Sequence, residues 1–469
     1  MLYAWNDHMN IVLIRPPRRN PWENSLLVPP LGLAYIASAA RLAGHHVQIL
    51  DAYALRWTWQ RFTEEMQKIH VDVIGFTAMT PVWDVVQQAI DISRNSARYI
   101  VVGGPHPTVV RHEIFGQCPK IDAGIVGEGE ESFVALLGYW QAMEVGDTQQ
   151  VPAGVVLPHA EFREISPPDV QRIAYPARDL LDNSLYRYPL ASRAQVATMI
   201  TSRGCPFRCS FCDKSVGGSR WRARTPVDVV NEMEEIHSKY NVGFINMYDD
   251  NFTLHRKRVV DICQEIIRRQ LPIVWKCEGR VDSVDLELLQ IMKKAGCQMI
   301  AFGVESGNPD TLELLRKDIT VEQTRHAFAL MQEVGIASLA YIILGAPGED
   351  AEKVWQTIRF CREIEADYVQ FSSLSAMPGT SISEMFVAEN VSVTNMLDAD
   401  VHRKTLTSLS EEELQTLMNQ AWKDFYLRPH TALRLGLDMW RSGYWKEIAK
   451  NSYAWSYHHM TKRFAHITR

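Results

Sequence analysis

Ile200–Lys214 reads ITSRGCPFRCSFCDK and carries Cys205, Cys209 and Cys212 at Cys-x-x-x-Cys-x-x-Cys spacing, directly after the apolar run Val196–Ile200. Three thiolates within eight residues can grip one face of an iron–sulfur cluster, which ordinarily takes four cysteines. With no fourth cysteine nearby, one iron is left open, and an open coordination position marks a catalytic metal site rather than a structural one. Gly204 and Pro206 supply the bends that a chain wrapping a cluster requires. Zinc, or three merely buried thiols, are the alternatives. Zinc sites favour paired Cys-x-x-Cys or mixed Cys/His sets, and no second pair stands here.

Downstream, strand candidates recur at Ala197–Thr201, Phe244–Tyr248, Ile273–Cys277, Met299–Val304, Ser338–Leu344 and Tyr368–Ser372. Helical patterns lie at about 226–239, 255–269, 283–295, 308–316, 321–334 and 350–365. Six βα units predict a partial (β/α)6 barrel, whose chemistry sits at the carboxyl ends of the strands.

The cysteine stretch closely resembles the signature of radical S-adenosylmethionine (SAM) enzymes, and Phe211 matches the aromatic residue usual before the third cysteine. The resemblance implies a [4Fe-4S] cluster on Cys205, Cys209 and Cys212. Its open iron chelates the amino and carboxylate groups of SAM, and one electron given to the sulfonium yields a 5′-deoxyadenosyl radical. It further implies that the segments beyond the strands meet SAM: Asp249 or Asp250 at the amino group, and Glu305 and Ser306, within Gly303–Gly307, at the ribose. Gly345, in Leu344–Glu349, and Pro378, in Met377–Thr380, would lie beside the adenine. Glu278 and Arg280 share one strand face, and Arg280 is a candidate carboxylate clamp. The residues have other readings: the aspartates as caps for the helix near His255, and Glu278 with Arg280 as an ion pair. Cys277, Tyr248 and Tyr341 are hydrogen-donor candidates, with a packed thiol the plainer reading of Cys277.

Upstream, apolar runs at Asn10–Ile14, Val47–Leu50, Val71–Thr77 and Ile100–Val102 alternate with helical patterns from Leu33 to Leu42 and at about 61–69 and 82–97. That alternation predicts a doubly wound parallel sheet with its ligand site at the strand carboxyl ends. The loops there are Thr77–Pro81 (TAMTP), Gly103–Thr108 (GGPHPT) and Gly127–Ser132 (GEGEES). Their glycines let the backbone approach a large flat ligand. Together with PPLGLAYIA and HVQILDA, residues 10–145 resemble the cobalamin-binding domain fused to one large class of radical SAM enzymes. The resemblance implies cobalamin held by Thr77, Met79, Thr80, Gly103, Gly104, His106, Thr108, Gly127 and Glu128. Asp-x-His-x-x-Gly is absent, so the corrin is expected without a histidine on its lower face and with TAMTP beneath it. His106 has a second reading as a turn histidine bonded within the protein. A nucleotide-binding or ligand-free flavodoxin-like domain is the alternative for the whole region.

The expected organisation of the 469 residues is a Rossmann-like domain over 1–150, a Pro-rich linker over 151–195, the barrel over 196–390 and a helical segment over 391–469. Ser410 and Glu413 stand at capping-box spacing, predicting a helix from Ser410 to Phe425. Net charge is −6, which exerts no pull toward nucleic acid. Residues 420–469 carry a local +6 among Trp422, Phe425, Tyr426, Trp440, Tyr444, Trp445, Tyr453, Trp455, Tyr457 and Phe464. These read as packing against the barrel, with contact to a membrane interface or a lipid-like substrate as the second reading. Cys118, Cys263, Cys277, Cys297 and Cys361 are scattered and read as buried apolar residues. The start, MLYAWNDHMN, lacks signal-peptide character, and no run of eighteen apolar residues spans a membrane. A low-potential cluster calls for a reducing, cytoplasmic setting and an external one-electron donor of flavodoxin or ferredoxin type.

The resulting expectation is a cobalamin-dependent radical SAM methyltransferase acting on an unactivated carbon of a small or lipid-like molecule. The alternatives are an oxidative cyclase or ring-rearranging enzyme with the same cofactors, and a non-catalytic cobalamin-binding protein.

Overall fold

The computed structural model describes residues 8–20, 27–147, 149–191, 195–388, 407–446 and 448–450. Two units are compact by themselves. One is built from residues up to 189 with 215–217 and the chain from 442; the other from 190–214 and 218–441.

In the first unit, β1 (Asn10–Arg15), β2 (His46–Asp51), β3 (Val71–Thr77), β4 (Ala97–Gly103) and β5 (Ala123–Ile125) are parallel, and β6 (Val155–Val156) runs antiparallel beside β5. The order is β2-β1-β3-β4-β5-β6. Ile11–Ile14 is an unbroken apolar run because β1 is buried on both faces. Ile11 and Leu13 pack with Leu33, Ala37 and Phe133 from helices Leu31–Leu42 and Glu130–Glu144. Val12 and Ile14 pack with Phe62 and Val86 from helices Trp59–Met66 and Trp83–Ser93. The order reverses at β1, between β2 and β3, which places the ligand crevice at the carboxyl ends of β1 and β3.

The four strands and three helices expected here are present. Strands β5 and β6 are additions, being too short to show alternation. Residues 155–156, read from sequence as linker, form the sheet edge. The chain beyond them stays on this unit: the Ala177 N–H donates to the Ala34 carbonyl at 2.9 Å, and the buried Tyr186 hydroxyl donates to Asp51 at 3.0 Å.

The second unit holds β7 (Val196–Met199), the small hairpin of β8 (Ser202–Arg203) and β9 (Arg222–Ala223), β10 (Phe244–Met247), β11 (Val274–Gly279), β12 (Cys297–Glu305), β13 (Ala337–Leu344) and β14 (Tyr368–Ser373). Its main sheet is parallel throughout, in the order β7-β10-β11-β12-β13-β14. The expected six βα units are all there. One face of the sheet meets the helices through Met199, Ile245, Trp275, Phe302 and Ile342. On the other face, Met299, Ala301, Leu339 and Tyr368 meet Leu190 and Leu435, the latter from helix Pro429–Arg441.

Helix Glu411–Tyr426 opens with the capping box read from Ser410 and Glu413. It guards an exposed edge, a liability in any open sheet. The Tyr426 hydroxyl accepts from the Val369 N–H at 2.9 Å and donates to the Val369 carbonyl at 2.6 Å, so one side chain takes the place of a neighbouring strand on β14. Phe425 is buried, whereas Trp422 and Trp440 are exposed. Tyr453, Trp455, Tyr457 and Phe464 lie outside the described residues. Among the described residues no helix is long and apolar enough to cross a membrane.

Candidate cluster, SAM and cobalamin sites

The cysteine loop leaves the carboxyl end of β7 and is braced from the end of β10. Asp249, 1% exposed, accepts from the Thr201 N–H at 2.6 Å, the Thr201 hydroxyl at 2.5 Å and the Ser202 hydroxyl at 2.5 Å. Asp250 accepts from the Gly204 N–H at 2.9 Å. Further along, Ser210 donates its N–H to the Leu315 carbonyl, and its own carbonyl accepts from Ile382. Phe211 packs against the cluster of Leu315, Ala346, Leu374, Ala376 and Ile382. The Arg280 guanidinium lies 3.7 Å from the Phe207 ring centre. The loop is thus held at its start by Asp249 and Asp250, at Phe207 by Arg280, and at Ser210 and Phe211 by elements more than a hundred residues later in the chain.

Of the two aspartates, one is expected at SAM with helix capping as the other reading, and the geometry takes Asp249 out of both roles. Its two oxygens are engaged by the chain that carries the cysteines, and His255 caps helix Arg256–Arg269. Asp249→Ala strips a buried carboxylate of three charge-assisted hydrogen bonds. It should cost about 3 kcal/mol in urea unfolding and lower iron loading, whereas a carboxylate serving only the ligand would leave unfolding unchanged.

The thiols feel one another. Burial pushes Cys209 up, and Cys205 adds to this, while Lys317 and Arg280 pull it down. The Cys212 residue is exposed in part of its surface, yet enclosure by surrounding protein and the nearby Cys209 push its thiol up to about 11. A bound cation reverses that logic and deprotonates the thiols outright. Among the described residues no three thiol, imidazole or carboxylate groups converge tightly enough to hold a single ion. A single zinc ion requires such convergence; a cluster does not, because each cysteine binds a different iron. The donor set therefore fits an iron–sulfur cluster.

At the end of β12, Glu305 sits at φ +63° and pairs with buried Lys317 at 2.7 Å. A Cβ on Gly303 would stand 2.3 Å from both partners, so glycine is what lets this ion pair lie over the strand end. Ser306 hydrogen-bonds with Thr357 at 3.0 Å. Beyond β13, Gly345 at φ +86° and Ala346 donate their N–H groups to buried Glu349 at 2.7 and 2.9 Å. Pro378 sits in the turn closed by the Thr380 N–H on the Met377 carbonyl at 3.1 Å. Lys317 was not anticipated from sequence, because its partner lies in a different element. The bracing role of Glu349 had a signal, its place four residues after Gly345.

Arg280 departs from the clamp expected of it. Its fork is taken by Asp282 at 3.0 Å and the Asp318 carbonyl at 3.1 Å. Nor does it pair with Glu278, which accepts from Lys276 at 3.2 Å and from the Tyr341 hydroxyl at 2.9 Å. Cys277 faces the helices beside Cys297 in the buried core, as a packed thiol does, away from the face that carries Glu278.

In the first unit the three loops are laced together at the strand ends. The Ala78 N–H donates to the Gly103 carbonyl at 2.8 Å, and the His106 N–H to the Ala78 carbonyl at 3.1 Å. Thr108 donates to the Gly104 carbonyl at 2.7 Å and accepts from the Gly127 N–H at 2.9 Å. Gly104, at φ +106°, has the Ala78 oxygen 2.8 Å from where a Cβ would stand. Met79 is 56% exposed, Glu128 is buried, and open space surrounds Gly127. Backbone rims, a glycine at a close approach and an exposed apolar Met79 fit a large planar ligand.

His106 does not fit as a ligand of that group. It is fully buried, stacked on Trp83 at 4.4 Å, and both ring nitrogens are engaged, by Thr80 at 3.2 Å and Gln117 at 2.9 Å. Burial lowers its pKa, so it stays neutral. Thr80, buried with it, supports His106 rather than the open rim.

Comparison with known proteins agrees with this partition. The profile of the Radical SAM superfamily matches residues 199–361, and that of the B12 binding domain matches residues 25–137. The chain is 33% identical to the "uncharacterized methyltransferase PH0819" of Pyrococcus horikoshii over 91% of this chain and 94% of that protein. It is 28% identical to the anaerobic magnesium-protoporphyrin IX monomethyl ester cyclase of Rubrivivax gelatinosus, over 75% of this chain and 65% of that one. The structure of the cobalamin-dependent S-adenosylmethionine radical enzyme OxsB, with aqua-cobalamin and S-adenosylmethionine bound, superposes with a TM-score of 0.73 at 17% identity, covering 92% of this chain and 71% of that one. The chain belongs to the radical SAM enzymes that carry a B12-binding domain.

Proposed function

We propose that this enzyme methylates an unactivated carbon of a small molecule, replacing one C–H hydrogen by a methyl group. The observation that carries the reading is one chain holding both a three-cysteine loop without a fourth thiol and a set of strand-end loops fitted to a corrin, whose His106 is engaged within the protein by Thr80 and Gln117. When bound, the cluster with SAM supplies hydrogen-atom abstraction and cobalamin supplies the methyl group.

The chain's own share is placement. Cys205, Cys209 and Cys212 hold the cluster, and Asp249 and Asp250 fix the loop that presents them. Gly303–Ser306, the Gly345 turn and Pro378 line the SAM side. Thr77, Met79, Gly103, Gly104, Thr108, Gly127 and Glu128 form the corrin side. A carbon without an acidic proton gives acid–base groups nothing to act on, so positioning is where the protein contributes rate. The reading includes a one-electron donor protein and a reducing, cytoplasmic setting.

The test is anaerobic turnover with trideuteromethyl-labelled SAM, cobalamin, a strong reductant and a small-molecule extract of cells lacking the gene. A metabolite that gains an intact CD3 group is the expected result. Label-free products that have lost hydrogen would overturn methylation in favour of the cyclase chemistry named for the Rubrivivax relative.

A further inference from the structure

Strand residues alternate between faces, and the packing of the second unit's sheet shows which side each takes. Ile245, Met247, Trp275, Cys277, Ala340 and Ile342 all enter the helix-facing core. Asn246, Lys276, Glu278 and Tyr341 therefore stand on the opposite, inner face. Asn246 and Lys276 are direct neighbours in register across β10 and β11.

These groups, with Thr198 beside Asn246 in register on β7, form a polar row next to the apolar Met299, Ala301 and Leu339. Lys276, 1% exposed, and the Tyr341 hydroxyl both engage Oε1 of Glu278. Glu278 keeps part of its side chain exposed, and its Oε2 accepts from no partner among the described residues. Asn246 is 1% exposed, and both its amide nitrogen and its amide oxygen lack a partner among the described residues. Leaving two buried polar atoms unpaired is costly, and a site built to pair them with a ligand is a standing reason for a fold to keep them. Glu278 is also close enough to Asp250 to help raise its pKa, after burial and Asp249, which sets it beside the brace of the cysteine loop. A carboxylate oxygen only accepts, so the open Oε2 of Glu278 suits an N–H or O–H donor and not an anionic group, whereas Asp249 and Asp250 have basic neighbours of their own in Arg258 and Lys214.

We propose that this inner face reads the substrate through the Glu278 carboxylate and the Asn246 carboxamide. The substrate is then a polar molecule, neutral or cationic, that presents an N–H or O–H donor beside a hydrogen-bond acceptor, rather than a lipid chain or an anion. Met299 and Ala301, the register neighbours of Lys276 and Glu278 on β12, give its remainder an apolar wall. This inference rests on the methyl-transfer reading.

The probe is the same cell extract divided into a hexane phase, an anion-exchanger-retained fraction and an unretained polar fraction, each supplied with CD3-labelled SAM. Label should enter the unretained polar fraction. Glu278→Gln should raise the amount of that fraction needed for half-saturation more than tenfold, with cluster absorption and iron content retained. Asn246→Val should cut label transfer at least tenfold while raising Tm by a few degrees, because it removes two unpaired buried polar atoms; a merely structural Asn246 would change Tm without changing transfer. Label in the hexane or retained fraction, or variants within twofold of the parent in transfer, would overturn the inference. If the parent enzyme makes no S-adenosylhomocysteine from labelled SAM, the methyl-transfer reading falls first and takes this inference with it, so the two failures are distinguishable.

Discussion

Cys209→Ala should abolish the visible absorption of the reconstituted cluster and all 5′-deoxyadenosine formation, while cobalamin content stays at the parent level. Cys209 lies between the other two cysteines in sequence, and its thiol feels Lys317, Arg280, Glu305 and Cys205 at once. Removing one of three ligands leaves two, fewer than a site-differentiated cluster needs. The fold should persist, because the loop is held by Asp249, Asp250, Ser210 and Phe211 rather than by the thiols. Retained absorption and turnover in this variant would mean that the cysteines are structural.

Gly104→Val should do the opposite, losing cobalamin while keeping cluster absorption. The backbone there stands at φ +106°, and a Cβ would meet the Ala78 oxygen at 2.8 Å. A β-branched residue is least able to adopt such a conformation, and the strain is about 1–3 kcal/mol. Relieving it pushes the Gly104 loop away from the Ala78 backbone that accepts from the His106 N–H, which breaks the rim. Gly32→Ala is the control: nothing lies within 4 Å of its Cβ position, and cobalamin retention should be unchanged. Equal cobalamin content in Gly104→Val and the parent would contradict the corrin assignment.

Much of this architecture was legible in the order of residues because its strongest signals are local. The cysteine spacing needs no tertiary knowledge. The strands of the second unit are apolar runs bounded by turns, since a strand buried on both faces has little room for polar residues. The capping box at Ser410 and Glu413 is a four-residue pattern. What stayed hidden depends on partners distant in the chain. Asp249 looks like a ligand-facing acid until Thr201 and Ser202, nearly fifty residues earlier, are seen to occupy it. His106 has the chemistry of a metal ligand, and only Trp83 and Gln117 reveal it as a core histidine. Arg280 looked like a clamp for SAM although Asp282, two residues on, was in view; which of two nearby acids it takes is settled by the turn after β11. Strands β5 and β6, of three and two residues, carry too little periodicity to announce themselves.

One polypeptide should perform both reductive SAM cleavage and methyl transfer to cobalamin. The most direct measurement is quantification of nucleoside products after anaerobic incubation of the iron- and cobalamin-loaded chain with SAM and a strong one-electron reductant. The expected products are both 5′-deoxyadenosine, from cleavage at the open iron, and S-adenosylhomocysteine, from methylation of the reduced corrin. Failure of the loaded chain to form either one would contradict this expectation.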